Sequence, residues 1–188
     1  MAKIQCMAKV TEVSVLAEGI VSMWLSAPGV AKSAKPGQFI SLYCDNSDTL
    51  LPRPISLCEV NQKDGLLRIV FRIVGAGTKE FAAKEKDDEI RILGPLGNGF
   101  PYEKAEGKKV FLMGGGIGVP PILELAKQLP CKTTVVVGYR NADTFLQEEL
   151  EEAAERVVIA SDDGSIGIKG TVLDAMEAEG VTGDCIFS

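Results

Sequence analysis

The spacing of apolar residues changes once along this chain, near residues 100–107, and the change divides it into two domains of different class. Up to about residue 100, apolar and β-branched runs cover residues 6–16, 20–27, 37–44, 54–60, 66–74 and 89–93. The run from Leu67 to Val74 alternates most cleanly. Leu67, Ile69, Phe71 and Ile73 fall on one side, and Arg68, Val70, Arg72 and Val74 on the other, which predicts a half-buried strand. Pro28-Gly29, Pro36-Gly37, Asp64-Gly65 and Gly94-Pro95 mark turns between the runs. Six short strands at this spacing predict a small antiparallel barrel or sandwich. One short helix is expected between Thr78 and Lys86.

After residue 107 the rhythm is that of an α/β domain. Val110-Phe111-Leu112-Met113 is a continuous apolar run, as in a strand covered on both faces. Ile122, Leu125, Ala126 and Leu129 then repeat at helical spacing, with Pro120 and Pro121 tolerated in the first turn. Further strands are expected at Thr134–Val137, Val157–Ala160 and Asp184–Phe187, and a second helix at about Thr144–Ala154. Thr171, with Asp174 three residues on, has the pattern that caps a third helix. The alternation predicts a parallel sheet with crossover helices. The expected domains are residues 1–101 and 102–188.

Composition narrows the partners. The 188 residues carry 20 basic and 26 acidic side chains, a net charge of -6, which argues against a nucleic-acid backbone as ligand. Any anion must therefore be held by local backbone donors and a few arginines. Histidine is absent, which removes imidazole metal ligands and His-based triads. The five cysteines, Cys6, Cys44, Cys58, Cys131 and Cys185, form no C-x-x-C pair and are expected as reduced, buried thiols. No apolar run approaches the roughly 18 residues that span a bilayer, and no signal peptide is visible. A soluble, cytoplasmic protein without membrane contact is expected.

Three motifs carry chemistry. Gly114-Gly115-Gly116-Ile117-Gly118 joins the first parallel strand to its helix, where backbone N–H groups and the helix dipole can receive a pyrophosphate. It is not a G-x-G-x-x-G fingerprint, and a turn needed only for packing is the competing explanation. In Leu51-Pro52-Arg53-Pro54-Ile55-Ser56, flanking prolines hold Arg53 extended, with Ser56 as a hydroxyl donor. A solvated edge charge is the alternative. Arg72 precedes Gly75-Ala76-Gly77-Thr78, with Thr78 placed to cap the short helix, which suggests a second anion site. Two anion sites suggest two nucleotides. Asp162-Asp163-Gly164-Ser165 could touch ribose hydroxyls or merely turn the chain. Tyr139-Arg140 lies where the adenosine end of a nicotinamide dinucleotide would rest, without separating NADH from NADPH.

In this order the motifs resemble the ferredoxin-reductase family. Arg53 to Ser56 is similar to its R-x-x-S flavin signature, and Ile69 to Thr78 to its second flavin segment. Gly94-Pro95-Leu96-Gly97-Asn98-Gly99-Phe100 is similar to the turn that closes its barrel, and Gly114 to Pro121 to its nicotinamide-pyrophosphate loop. The resemblance implies an all-β antiparallel Greek-key barrel that binds FAD, followed by an α/β parallel-sheet domain that binds NAD(H). It implies cofactor contacts at Arg53, Pro54, Ile55, Ser56, Val70, Phe71, Arg72, Gly77 and Thr78, and at Gly114, Gly115, Gly116, Ile117 and Gly118, with no catalytic acid or base.

Within the family, R-P-I-S, F-R-I-V-G-x-G-T and D-D-G-S-x-G-x-K-G-T-V most resemble the electron-transfer subunits of bacterial type B dihydroorotate dehydrogenases. That likeness implies a heterotetramer with an FMN-containing catalytic subunit, serving pyrimidine biosynthesis. It also implies a 2Fe-2S cluster, but the cysteine-rich segment that ligates it in the group has no counterpart here. A truncated chain is therefore expected, one that binds FAD and holds the nicotinamide poorly. Flavin subunits of NADPH–ferredoxin transhydrogenases or sulfide dehydrogenases share the barrel and the glycine loop. A non-catalytic module of the same fold is the further alternative.

Overall fold

A computed structural model describes residues 3–46, 50–131 and 133–188. They fall into two compact units, the first ending at Gly99 and the second running from Phe100 to Ser188.

In the first unit, β1 (Ile4–Ala17), β2 (Ile20–Ser26), β3 (Phe39–Tyr43), β4 (Arg53–Asn61), β5 (Leu66–Arg72) and β6 (Glu89–Leu96) close a barrel in the order β1-β2-β5-β4-β3-β6. All neighbours are antiparallel. The consecutive strands β3, β4 and β5 are followed by β6, which returns beside β3, the Greek-key order. Closure pairs the outermost strands of the sheet, β1 and β6, with each other. Alternation sends Met23, Leu25, Ile40, Leu42, Leu57, Leu67, Ile69, Phe71, Ile90 and Ile92 into one core. The short helix α1 (Pro28–Ala31) follows β2 and adds Val30 and Ala31 to that core, and α2 (Ala76–Ala82) adds Phe81, edge-on to Phe71 at 6.5 Å between centroids.

Two expectations for this unit need correction. The second face of β5 is not solvated: Arg68 and Val70 are buried. Arg68 is tolerated there because Nε donates to Ser22 Oγ at 2.8 Å and Nη1 pairs with Glu59 Oε1 at 2.6 Å, while the guanidinium carbon lies 5.9 Å from the Trp24 ring centroid. The short helix also begins earlier than expected, because Gly75 and not Thr78 occupies its N-cap.

In the second unit, β7 (Val110–Gly115), β8 (Thr133–Tyr139), β9 (Arg156–Ser161), β10 (Ile168–Lys169) and β11 (Cys185–Phe187) form one sheet in the order β10-β9-β8-β7-β11. Every pairing is parallel. The helices are α3 (Val119–Gln128), α4 (Gln147–Ala153) and α5 (Val172–Ala178). Phe111, Val136, Val158 and Ala160 pack with Ala175 of α5, and α3 contacts β7 and β8. Cover on both faces explains why β7 and β8 read as unbroken apolar runs. Thr171 and Asp174 form the expected capping box on α5. The strand β10 was not anticipated. The helix α4 begins later than expected, because Phe145 and Leu146 are buried and Leu146 takes a left-handed φ of 62°.

All five cysteines are free, but only Cys58 is buried and the others are half-buried, so the expected set of buried thiols is reduced to one. Among the described residues no helix is long and apolar enough to cross a membrane.

Candidate functional site

The first site lies in the barrel wall. β4 and β5 pair only from Leu57 opposite Ile69 to Asn61 opposite Leu66. Beyond that point β4 continues beside β3 alone, with Arg53 opposite Leu42 and Ser56 opposite Phe39. β5 continues beside β2 alone, with Val70 opposite Ser22 and Arg72 opposite Ile20. The wall therefore opens between Arg53–Ser56 and Val70–Arg72, the two stretches that the sequence had marked. Strand groups left without a ladder on that side are available to a ligand.

Around this gap the residues divide by strand parity. Arg53 and Ile55 share the inward face, and Ile55 packs against the barrel core. Pro54 and Ser56 are exposed on the opposite face. Ser56, named in the sequence as a hydroxyl donor, therefore lies on the face opposite Arg53, because three residues along a strand reverse the face. Val70 and Phe71 are buried, so their side chains fill the wall and the core, and Arg72 is half-buried.

Arg53 is held at the open end of the gap. Its Nη1 donates to the Leu51 carbonyl at 2.7 Å. Its stem lies against α2 so closely that a Cβ on Gly77 would stand 3.0 Å from Arg53 Nε and 3.0 Å from Cys44 Sγ. The fold thus brings Arg53 and Gly77, marked separately in the sequence, into contact. Thr78 caps the helix as expected, but from the third helical position and not from the N-cap itself. Its hydroxyl oxygen accepts from Val74 N at 2.9 Å and Gly75 N at 3.1 Å, and the hydroxyl donates to Gly75 O at 3.1 Å. Those bonds shape the turn into α2, whose first amides have no intrahelical acceptor. Cys44, expected only as a reduced, buried thiol, was not foreseen at this site. Burial, with help from Glu80, pushes its thiol up against the opposing pull of Arg53. A neutral thiol puts no negative charge beside the guanidinium.

The second site is the carboxyl edge of the parallel sheet. β8 lies on one side of β7 and β11 on the other, so the order reverses at β7, and a crevice is expected outside the carboxyl ends of such strands. The glycine loop sits there. Its glycines are not equivalent. A Cβ on Gly114 would come within 3.1 Å of both Gly118 O and Ile122 Cγ1, so Gly114 is required for packing α3 on β7. Gly116 has a φ of 51° and is required for the turn. A Cβ on Gly115 would meet only Gly138 O, at 3.9 Å, and one on Gly118 would meet nothing within 4 Å. Packing does not explain those two. They leave bare backbone at the start of α3, as close approach by a phosphate requires. Ile117 between them is 43% exposed.

The neighbouring strand ends carry less chemistry than expected. Tyr139 is buried, donates its hydroxyl to Phe145 O at 2.7 Å and packs edge-on to Phe145. It anchors the loop before α4 and is not offered to a ligand; Arg140 is exposed. Asp163 accepts from Ser165 N at 2.9 Å and Ser165 Oγ at 2.6 Å, and the Ser165 hydroxyl holds its carboxyl below the usual range. Of the two roles open to this segment, the one visible is the turn. No group of three or more His, Cys, Asp or Glu among the described residues could hold a metal ion.

A six-stranded antiparallel barrel followed by a parallel sheet with a glycine loop at its switch point defines the ferredoxin-reductase class of flavin- and nicotinamide-linked oxidoreductases. An NADH-dependent reduced ferredoxin-NADP oxidoreductase is similar at a TM-score of 0.81 and 27% identity, over 96% of this chain and 66% of that one. A flavohemoglobin from Malassezia yamatoensis, solved with bound FAD and heme, shares the fold at a TM-score of 0.74 and 22% identity, over 89% of this chain and 48% of that one. No family model matches. The dihydroorotate dehydrogenase B (NAD(+)) electron transfer subunit of Bacillus caldolyticus is 40% identical over 178 residues, 92% of this chain and 69% of that protein. That of Desulforamulus reducens is 39% identical over 175 residues, 90% of this chain and 66% of that protein. The chain belongs to the family of dihydroorotate dehydrogenase B electron transfer subunits.

Proposed function

We propose that the chain passes electrons between NAD(H) and FAD for a dihydroorotate dehydrogenase catalytic subunit, with FAD seated in the barrel gap and the nicotinamide dinucleotide on the glycine loop. The observation that carries this reading is the parting of β4 from β5 at the two segments similar to the family's flavin motifs. The residues present fit FAD: a half-buried arginine, bare helix-start amides and unladdered strand groups suit a pyrophosphate and a polar ring edge. FAD supplies the redox chemistry, exchanging a hydride with the nicotinamide and releasing electrons singly. The chain's own residues bind and orient. Arg53 offsets phosphate charge, Arg72 adds a second cation at the end of β5, and Thr78 holds the turn into α2 open.

On the sheet, the first amides after Gly115 receive the dinucleotide pyrophosphate, with Gly115 and Gly118 leaving room for it. NAD(H) is preferred here to NADP(H) because the relatives bear NAD(+) in their names. The partner proposed is an FMN-containing catalytic subunit in a heterotetramer, by likeness to the family. The described residues do not fit a 2Fe-2S cluster, since they offer no group of three or more clustered ligands, and we assign none to them. The likeness to the NADH-dependent ferredoxin-NADP oxidoreductase favours a related second reading, with a ferredoxin partner, at lower identity.

Titration of FAD into the apoprotein tests the reading. Arg53→Ala should weaken FAD about tenfold or more, the value of a lost hydrogen bond to a charged group. Unchanged affinity would remove Arg53 from the site and the barrel gap from consideration.

A further inference from the structure

We infer that Gly77 and Cys44 are positioning residues for Arg53, forming the slot that fixes its stem within the flavin site. The inference rests on the assignment of Arg53 to FAD and adds to it the reason the guanidinium is held ready. Gly77 sits inside α2, where alanine would form the better helix, so local backbone does not call for glycine. What calls for it is the neighbourhood. A Cβ there would stand 3.0 Å from Arg53 Nε and 3.0 Å from Cys44 Sγ, both tighter than ordinary contact, and 3.4 Å from Arg53 Cγ.

Cys44 borders the same space over Gly77 as the Arg53 stem, and the segment that carries it is tied to the helix. Asp45 N donates to Glu80 Oε1 at 2.6 Å, and Lys84 Nζ pairs with Asp45 Oδ2 at 2.7 Å. The segment just past β3 is thereby fastened to α2 through Glu80, one turn on from Gly77, and to the residues that follow the helix through Lys84. At its tip Arg53 is held by the Leu51 carbonyl. A long side chain fixed at stem and tip has less freedom to lose when an anion arrives, and affinity rises accordingly. Nothing in the sequence marks Cys44, because the slot joins residues from three separate segments.

The test uses the whole chain, with FAD as the probe and fluorescence titration as readout. Gly77→Ala should weaken FAD about tenfold, with a melting temperature no lower than that of the parent. In an Arg53→Ala background the same change should add little, because the residue it displaces is gone. In a Cys44→Ala background its penalty should shrink, because the added methyl has room to move. If Arg53→Ala weakens FAD and Gly77→Ala does not, the inference is overturned while the flavin assignment stands. An equal penalty with and without Arg53 would also overturn it, since the methyl would then obstruct FAD directly. Unchanged affinity in Arg53→Ala removes both. Should Gly77→Ala not fold, Cys44→Met crowds the same space and carries the same expectation, and wild-type affinity in it would overturn the inference.

Discussion

Tyr139 shows how far a residue's chemistry depends on which way it faces. In sequence it sits at the end of a parallel strand, next to Arg140, where a dinucleotide would lie; in the fold it turns inward and its phenol holds Phe145 O. Burial keeps that phenol protonated well above the ordinary tyrosine range. The unfolded phenol ionises near 10.0, so the contribution to stability is complete below that pH and is lost as pH rises beyond it. Tyr139→Phe should therefore cost about 1 kcal/mol near neutrality. The gap to wild type should narrow only as pH rises past 10.0, as measured by denaturant unfolding. The legible residues were those whose type and neighbours suffice: Arg53 between prolines, Gly77 before a threonine, Thr171 before Asp174. Cys44 and the Leu51 carbonyl were illegible, because their roles arise only where distant segments meet.

Among the elements, the glycine loop separates two kinds of requirement. Gly114 and Gly116 serve the fold, whereas Gly115 and Gly118 face space that no side chain occupies. Gly114→Ala should destabilise the protein by about 1–3 kcal/mol through overpacking against Gly118 and Ile122. Gly118→Ala should leave unfolding within about 0.5 kcal/mol and weaken NADH about tenfold, a contrast that paired thermal melts and NADH titrations would check. Loss of NADH affinity in neither variant would count against the loop as a phosphate site. The sequence marked the run as a whole but could not sort its members, since their difference lies in what packs against each backbone position. Strand β5 shows the same limit. Its alternation gave the inward set correctly, but burial of Arg68 depends on Glu59, Ser22 and Trp24 from two other strands.

At the level of the whole chain, alternation and turn signals were enough for the number of strands in the barrel, and the strand–helix rhythm for the parallel sheet. Neither reveals which strands are neighbours. The parting of β4 from β5 and the reversal of order at β7 are properties of pairing, and both candidate sites depend on them. Because the sites belong to units with separate cores, each ligand should report on its own site. At a hundredfold excess over its Kd, a ligand stabilises the state that binds it by about 2.7 kcal/mol. FAD should raise the melting transition of Gly118→Ala in full but that of Arg53→Ala only about half as far, and NADH the reverse. A single variant that reduced both shifts would contradict independent sites.

Every strand of the barrel precedes Gly99 in the chain, whereas β7 acquires its second neighbour only from Cys185–Phe187. During synthesis the earlier unit can therefore close, and take up its yellow cofactor, while ribosomes are still adding the segment that finishes the crevice beside β7. Flavin loading would then be an early event of biogenesis, and competence toward nicotinamide a late one.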